Sequence, residues 1–504
     1  MSAAPFAVHG FGESPEVAID DVAVRGELPP WLTGSLLRNG PGTFQVGERR
    51  YRHWFDGLAM LHRFTIHEGR VSYANRFLET ESYRIARDEG RIAYPEFATD
   101  PCRSMFARAM AVFDPQATDS AKVNIARVAE HYLALAETPI QVEFDPETLR
   151  TVGVTGWDRS NFGRITTVHP HLDEQRHEAI NLVTRYGAVS NYVFRRVDTM
   201  PADAADRGPL PGETIASKAV REPSYIHSFG MSDRHLVIVE FPLVVNPISL
   251  LLWLRPYIEN FKWKPSRGTR IHVFDRATGA HVRSATADPF FAFHHVNAYD
   301  DEDGSVVVDL VAYDDASVIE SFYLHRLSEP DVQIPSGTLR RLRVPLGGAQ
   351  ERLRLEVLSP TGIELPSTDY ARRNSSPALR CVYGVGVRGD RGFYDQLVKI
   401  DLESRTTLTW SEPGCYPGEG VFVGRPERVA EDDGVLLSVV LDAERGTSFL
   451  LVLDAASFVE IARAELPHPV LLGYHGQFYD DLLVSGEPSS SEARPGQDLP
   501  AQGS

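Results

Sequence analysis

The sequence predicts an all-β protein in which several small sheets surround a common centre, as in a β-propeller. Short segments rich in Val, Leu and Tyr recur along the 504 residues, and each is closed by Asp, Gly or Pro. Segments of this length and composition are typical of β-strands. The clearest of them are His235–Val245, Ser305–Tyr313, Leu379–Val387, Val435–Ala443 and Ser448–Phe458.

The turns between these segments support the same fold. They read FDPETL at Phe144–Leu149, FDRATG at Phe274–Gly279 and LDAASF at Leu453–Phe458. Aspartate binds the backbone of such a tight turn, and glycine supplies a positive φ. Repeated along the chain, strand, turn and strand indicate hairpins that a propeller groups into four-stranded blades.

Two apolar segments depart from the strand pattern. Residues 100–113 place their large apolar side chains on one helical stripe, and Pro242–Trp263 is rich in Leu and Trp but broken by two prolines. One interpretation is packing against the core. The other is a pair of patches, near 101–113 and 243–254, that dip into a bilayer through Met105, Phe106, Leu250–Leu252 and Trp253.

Composition excludes several classes of protein. The formal net charge of -18 argues against a nucleic-acid partner, because a polyanion would be repelled. The three cysteines (Cys102, Cys381 and Cys415) form no CxxC pair and do not make a disulfide framework. No signal peptide and no stretch of eighteen uninterrupted apolar residues is recognisable. The expected location is the cytoplasm, with a peripheral position on the inner face of a membrane as the alternative.

Two adjacent histidines, His294 and His295, lie in the aromatic stretch FFAFHHVNAYD. Neighbouring side chains of a strand point to opposite faces, so only one of the two can face a given point unless the strand is bulged. Three further histidines, His169, His227 and His475, follow apolar or β-branched residues at predicted strand ends. A propeller directs such side chains to its axis, so separate blades could each contribute one metal ligand. The residues alone leave surface and structural roles open.

The four histidine contexts, together with GSLLRNGPGTF and HWFDGLAMLHRF, resemble the carotenoid cleavage oxygenase family, and its animal branch in particular. FATDPCRSMFAR and TDSAKVNIARVAEHYLALAETP resemble the same branch. The resemblance extends from Gly34 to Phe478. It implies a single domain over residues 1–485, folded as a seven-bladed β-propeller with a helical or loop dome over one face. The segment 486–504, rich in Ser, Pro, Gly and Gln, is predicted to be a disordered tail.

The resemblance also implies a cofactor, one Fe(2+) per chain. The family pattern His-x-x-Asn selects His294, three residues before Asn297, and leaves His295 as its packed neighbour. Neutral imidazole suits Fe(2+), whereas most non-haem iron oxygenases use two histidines and one carboxylate. The implied iron ligands are His169, His227, His294 and His475.

Family members hold three of the four histidines with outer glutamates, which fix the tautomer of the ring. The positions that match here are Glu137, Glu364 and Glu419. At the middle position the family usually has Arg where this chain has Ser367, and Asp369 is a nearby competitor for the role of Glu364.

The function implied by the resemblance is oxidative cleavage of a conjugated double bond in a carotenoid or apocarotenoid, with dioxygen as co-substrate and aldehydes or ketones as products. Three alternatives stay open: a retinoid isomerohydrolase on the same iron site, a stilbene-cleaving oxygenase, and a non-catalytic scaffold. The stilbene branch carries Lys where this chain has Ala136. Cys102 is expected to be a plain thiol, with palmitoylation as the alternative. Candidate tunnel-lining residues are Phe55, Phe290, Phe291, Phe293 and Tyr299.

Overall fold

A computed structural model describes residues 4–100, 118–155, 164–199, 212–251, 255–348, 352–389 and 391–483. Over these residues, seven sheets contain four or more strands each, and they are arranged as the blades of a β-propeller. The prediction of an all-β, seven-bladed fold is therefore confirmed. The predicted helical stripe from residue 101 onward, Cys102 and the tail 486–504 lie outside the described residues.

The N-terminal part of the chain supplies strands that end up in two different blades. These strands are β1 (Ala18–Ile19), β2 (Ala23–Gly26), β3 (Gly34–Thr43), β4 (Gln45–Val46), β5 (Arg49–Arg50), β6 (Leu58–His67) and β7 (Arg70–Phe77). Strands β4 and β5 form a separate two-stranded ribbon.

Blades 1 and 2 follow in chain order and are antiparallel. Blade 1 contains β8 (Asn124–Val128), β9 (His131–Leu135), β10 (Gln141–Phe144) and β11 (Thr151–Thr155). Blade 2 contains β12 (Arg164–Thr166), β13 (His171–Asp173), β14 (Glu178–Arg185), β15 (Ser190–Asp198) and β16 (Gly212–Val220).

Blades 3 and 4 carry the longest insertions. Blade 3 contains β17 (Gly230–Met231), β18 (His235–Glu240), β21 (Thr269–Asp275) and β22 (His281–Ala287), with a ribbon of β19 (Leu243–Val245) and β20 (Phe261–Trp263) inserted after β18. Blade 4 contains β23 (Phe291–Asp300), β24 (Ser305–Tyr313), β25 (Thr338–Pro345) and β27 (Leu355–Gly362), while β26 (Arg352–Leu353) pairs with β22 of blade 3.

Blades 5 and 6 complete the sequential part of the ring. Blade 5 contains β28 (Glu364–Ser367), β29 (Cys381–Gly386), β30 (Gln396–Asp401) and β31 (Thr406–Trp410). Blade 6 contains β32 (Cys415–Pro417), β33 (Val421–Gly424), β34 (Gly434–Asp442), β35 (Thr447–Asp454) and β36 (Glu460–Glu465).

The ring closes through strands from the two ends of the chain. Strand β37 (Gly476–Tyr479) pairs with β3, with Gly476 opposite Arg38, and completes blade 7 in the order β1-β7-β6-β3-β37. Strand β2 adds to the outer edge of blade 6 by pairing with β36. Both closures bury apolar side chains, so the closed ring is held by packing as well as by the strand ladders.

The described helices are short and lie in connections between strands. They are α1 (Pro5–Gly10), α2 (Glu81–Glu89), α3 (Pro247–Leu251), α4 (Ser317–Ser321), α5 (Leu324–Leu327) and α6 (Tyr370–Arg373), with 3-10 turns at Ile258–Asn260 and Pro265–Arg267. The segment Pro242–Trp263 thus forms a strand ribbon with α3 between its strands. Across the described ranges, no helix combines the length and the apolar character needed to span a bilayer.

The aspartate turns form as predicted, with one difference. The Asp145 and Asp454 carboxylates accept hydrogen bonds from backbone N–H groups two or three residues further on. The predicted glycine takes a positive φ of 71° at Gly279, but Leu149 and Phe458 occupy the equivalent positions with φ of 56° and 62°. Both side chains are buried, so apolar packing offsets the cost of the left-handed backbone.

Candidate metal centre

Four histidines from distant parts of the chain meet where the innermost strands of the blades approach one another. One ring nitrogen of each of these hub histidines, namely His169, His227, His294 and His475, lies within 4.8 Å of the corresponding nitrogens of the others. The Nε2 atoms of His169 and His227 are 3.1 Å apart, and those of His294 and His475 are 3.3 Å apart. The geometry is that of a small cage of imidazole nitrogens.

Each hub histidine comes from the inner end of a blade or from the connection next to it. His169 lies between β12 and β13, His227 precedes β17, His294 belongs to β23 and His475 directly precedes β37. Three of the four are buried, and His169 is partly buried. Because the inner strands surround the axis, residues far apart in the sequence become neighbours there.

His294 and His295 point to different surroundings. The pairing of β23 with β24 shifts register on both sides of His295, which marks bulges in the strand, and bulges re-aim side chains. His294 joins the hub, whereas the His295 Nδ1 atom lies 2.8 Å from the Ser228 hydroxyl. Asn297, the other polar residue of the stretch, bonds the backbone at Ser375 and Ser376.

Three hub histidines use their second ring nitrogen to bind a carboxylate. These outer carboxylates are Glu137, Glu364 and Glu419. His227 Nδ1 lies 2.8 Å from Glu137 Oε1, His294 Nδ1 lies 2.5 Å from Glu364 Oε1, and His475 Nδ1 lies 2.8 Å from Glu419 Oε1. An ionised carboxylate can only accept, so each of the three Nδ1 atoms donates its hydrogen. The lone pair of each ring is thereby placed on Nε2, which faces the hub.

The competitor at the middle position is bound elsewhere. The Asp369 carboxylate accepts from the Arg428 guanidinium, with a separation of 2.6 Å between Oδ2 and Nη2. Ser367, which stands where the family usually has Arg, donates its hydroxyl hydrogen to the Gly420 carbonyl. The structure therefore places Glu364, and not Asp369, against His294.

Burial favours the neutral form of two hub histidines, His169 and His227. It lowers the pKa of His169 well below the ordinary histidine value, and the neighbouring hub rings add to the effect. Burial also lowers the pKa of His227, although the hydrogen bond to Glu137 opposes the shift. Neutral imidazole is the form that binds a transition metal.

A cation fits between these rings on chemical grounds. His294 and His475 both donate from Nδ1, so in their neutral forms both Nε2 atoms are acceptors, and these atoms face each other at 3.3 Å. Two facing lone pairs repel unless a positive charge lies between them. A set of four neutral imidazoles inside three carboxylates matches the preferences of a divalent transition metal.

Each outer carboxylate has further donors that sequence reasoning did not identify. The Tyr225 hydroxyl donates to Glu137 Oε1 over 2.6 Å, and the Tyr313 hydroxyl donates to Glu364 Oε2. Glu419 Oε2 instead accepts from the Gly476 backbone N–H over 2.9 Å. Tyr225 stands two residues before His227, and side chains two apart in an extended segment point to the same side. This spacing could have predicted that Tyr225 lies near the candidate ligand. Tyr313 carried none, because β24 reaches Glu364 only through the assembled ring.

Arg38 is a second residue that the sequence did not single out. Its guanidinium is buried and donates to the backbone carbonyls of Glu419, over 3.0 Å, and of Tyr474, over 2.9 Å. It thus binds the chain on both sides of the contact between Glu419 and His475. The available signal was that Arg38 is the only charged residue in the strand GSLLRNGPGT.

The predicted tunnel-lining aromatics separate into two sets. The Phe293 ring lies 5.8 Å from the His227 ring, and Phe55 lies 5.6 Å from Phe293. Phe291 contacts Phe293 at 4.8 Å, so Phe293 lies next to the hub while Phe55 and Phe291 pack against Phe293. Phe290 packs against Phe241, and the Arg341 guanidinium lies over the Tyr299 ring.

Comparisons with known proteins agree with this geometry. A family model described as retinal pigment epithelial membrane protein matches residues 11–480. Mouse β,β-carotene 15,15'-dioxygenase is 34% identical over 525 residues, covering 94% of this chain and 91% of the relative. The mitochondrial carotenoid-cleaving dioxygenase of Mustela putorius furo is 34% identical over 519 residues, covering 92% and 94%.

Solved structures share the fold. Cobalt-substituted Synechocystis ACO superposes with a TM-score of 0.82 at 25% identity, covering 95% of this chain and 99% of the other. A glutamate mutant of Synechocystis apocarotenoid oxygenase gives the same TM-score of 0.82 at 25% identity, with the same coverage of 95% and 99%.

Proposed function

The chain belongs to the retinal pigment epithelial membrane protein family of carotenoid oxygenases, and from this premise we propose that it is a non-haem Fe(2+) dioxygenase that cleaves carotenoids or apocarotenoids. The reaction would break one conjugated double bond and give two aldehydes, or an aldehyde and a ketone. The observation that carries the proposal is the convergence of four imidazoles within 4.8 Å, three of them bound to carboxylates, of which Glu364 and Glu419 are buried.

The hub histidines would hold the iron through Nε2. When bound, Fe(2+) supplies the electrons that activate dioxygen toward the polyene. The outer carboxylates keep the hydrogen on Nδ1 and fix the orientation of three rings. They also place three negative charges around a dication whose direct ligands are all neutral, which offsets its charge in a buried site.

The substrate would lie along the aromatic side of the hub. The half-buried Phe55 and the Phe293 ring beside it suit a long apolar polyene, and the fully buried Phe291 packs against Phe293. Their contacts with one another fix their positions, so a bound polyene could be held with one double bond beside the hub. We further propose that residues 1–485 act as one domain, followed by the tail 486–504.

Two alternatives make different demands on the same site. A retinoid isomerohydrolase would use the hub without consuming dioxygen. A stilbene-cleaving oxygenase would need a cation beside Glu137, but this chain has Ala136 there, buried in an apolar cluster with Ala134 and Val142 of blade 1. The dioxygenase relatives favour the oxidative reaction on a polyene.

We also propose that the protein collects its apolar substrate at a membrane surface. Within the predicted patch near 243–254, Ile248 of α3 is 63% exposed although it is a large aliphatic residue. The other predicted patch, 101–113, lies outside the described residues. Ile248→Glu should lower the bound fraction in a liposome flotation assay, whereas Val459→Glu, at an exposed turn of blade 6, should leave it unchanged.

The function is tested with the Fe(2+)-loaded protein, a panel of carotenoids and apocarotenoids, and labelled dioxygen, followed by rapid reduction of the products and mass measurement. The proposal expects oxygen uptake and label in the carbonyl products. His294→Ala, loaded in the same way, serves as the inactive control. Retinyl ester turnover without oxygen uptake would identify the isomerohydrolase instead, and a protein that takes up no iron would be a scaffold.

A further inference from the structure

The three outer carboxylates differ in how their two oxygens are shared among donors. Glu137 shares Oε1 between His227 and the Tyr225 hydroxyl, and Glu419 accepts from a backbone N–H near the Arg38 guanidinium. Glu364 divides its bonds between its two oxygens. Oε1 accepts from His294 and from the Leu365 N–H, and Oε2 accepts from the Tyr313 hydroxyl.

Tyr313 and Glu364 form an enclosed pair. The Tyr313 side chain is 1% exposed and Glu364 is 3% exposed, so water does not compete for the phenol–carboxylate bond. The phenol comes from the last residue of β24 in blade 4, and the carboxylate from the first residue of β28 in blade 5. Hydrogen bonds in such a low-dielectric interior polarise one another along a chain.

We propose that Tyr313 is a positioning residue that sets the reduction potential of the iron by weakening the pull of Glu364 on His294. This inference rests on the proposed function, because it needs iron bound at the hub. The order of contacts is phenol, carboxylate, imidazole and metal. The first two contacts, from Tyr313 to Glu364 and from His294 to Glu364, are hydrogen bonds seen in the structure.

The direction of the effect follows from charge. A carboxylate that also accepts from a phenol has part of its negative charge neutralised, so it attracts the His294 Nδ1 hydrogen less strongly. Without the phenol, the imidazole gains negative character and becomes a better donor to the metal. An imidazole that donates more electron density favours the ferric state, so removing the Tyr313 hydroxyl should lower the ferric/ferrous reduction potential. Hydrogen bonds made by groups that contact the metal ligands are known to shift such reduction potentials.

The test compares three iron-loaded proteins by potentiometric titration. Tyr313→Phe removes the hydroxyl and should move the midpoint potential to a lower value. A fluorinated tyrosine at position 313 donates more strongly and should move the potential to a higher value. Tyr383→Phe is the matched control: this buried tyrosine lies on β29, next to β28, and its ring stacks on Phe422. It should leave the potential unchanged.

Opposite shifts at one position distinguish tuning from a loss of packing, since a packing defect would not reverse with a stronger donor. If Tyr313→Phe does not fold, the fluorinated protein still tests the inference, because it retains the ring and the hydroxyl. Unchanged potentials in both, with full iron and normal turnover, would overturn this inference and leave the proposed function standing. A wild-type protein without iron would instead overturn the proposed function.

A second readout follows the hydrogen bonds directly. In zinc-loaded protein with 15N-labelled histidine, the Nδ1 hydrogens of His227, His294 and His475 should resonate far downfield because each binds a carboxylate. Tyr313→Phe should move the His294 resonance further downfield and leave the other two in place. Movement of all three, or of none, would contradict a path confined to Glu364.

Discussion

Two groups of buried histidines in this molecule differ in what their ring nitrogens face. Three of the four hub histidines, His227, His294 and His475, bind carboxylates with Nδ1, and all four turn a ring nitrogen toward a common centre. The scaffold histidines, His53, His62 and His295, face backbone groups and hydroxyls instead. His53, for example, bonds the Ile319 carbonyl with Nε2 and accepts from the Phe55 N–H with Nδ1. Both groups contain buried members, so a carboxylate partner and convergence, rather than burial, distinguish the candidate metal site.

The largest expected effect is on iron binding, and it distinguishes His294 from its neighbour His295 in the same strand. His294→Ala should abolish stoichiometric iron binding, because it removes one corner of the hub and leaves Glu364 buried without its main donor. His295→Ala should retain iron and lower the free energy of unfolding by about 1–3 kcal/mol, through loss of packing and of the Ser228 contact. Metal analysis and chemical unfolding of both variants measure this; loss of iron only in His295→Ala would reverse the assignment.

Removing charge from an outer carboxylate should have the next largest effect. Glu419→Gln keeps the shape of the side chain but weakens its hold on His475, so metal affinity or turnover should fall by about 10–100-fold. Glu431→Gln is the matched control, because Glu431 is equally buried but accepts from the backbone of Cys381 in blade 5. Equal losses in the two variants would show that the effect is structural.

The scaffold histidines should make the protein sensitive to acid. Burial lowers the pKa of His53, His62 and His295 to about 3. Above pH 6.5 these three histidine rings are neutral in both the folded and the unfolded chain. Below pH 6.5 the rings of the unfolded chain bind protons, whereas those of the folded chain stay neutral until about pH 3. Stability should therefore fall between pH 6.5 and 3, by about 1.4 kcal/mol per pH unit for each histidine.

This slope is testable with one variant in metal-free protein. His295→Gln should reduce the slope of the unfolding free energy against pH by the contribution of one histidine, about 1.4 kcal/mol per pH unit. Chemical unfolding at pH 6.5, 5.5 and 4.5 gives the two slopes. An identical slope in the variant would mean that His295 takes up a proton in the folded state.

The smallest effect concerns the contact that holds His295 away from the hub. Ser228→Ala removes a hydroxyl that donates to the Phe293 carbonyl and lies 2.8 Å from His295 Nδ1. The expected loss is about 0.5–1.5 kcal/mol of unfolding free energy, with iron content unchanged. A fall in iron content would show that Ser228 also positions His294.

The sequence could predict what depends on local chemistry. Strands ending in aspartate turns gave the all-β fold, and the polar chemistry of those turns is visible at Asp145 and Asp454. The seven blades and the placing of the four histidines needed the family resemblance. Even then Leu149 and Phe458, which take a left-handed backbone in place of glycine, were hidden, because burial and not local preference permits them.

What the sequence could not predict depends on contacts between blades. Tyr313 reaches the Glu364 carboxylate, and Arg38 reaches the Glu419 backbone carbonyl, only after the ring has closed, and no spacing in the sequence connects these pairs. The bulges of β23 likewise depend on its pairing with β24. Tyr299 looked like a tunnel residue in the sequence, but its ring packs under Arg341.

The central claim is a single metal ion bound by four imidazoles, and anomalous diffraction from crystals of the iron-loaded protein tests it directly. Data collected at the iron absorption edge should show one strong peak among the Nε2 atoms of the hub histidines, which the structure places within 4.8 Å of one another. A fully active protein whose iron peak lies elsewhere, or touches fewer than three of these nitrogens, would contradict the account.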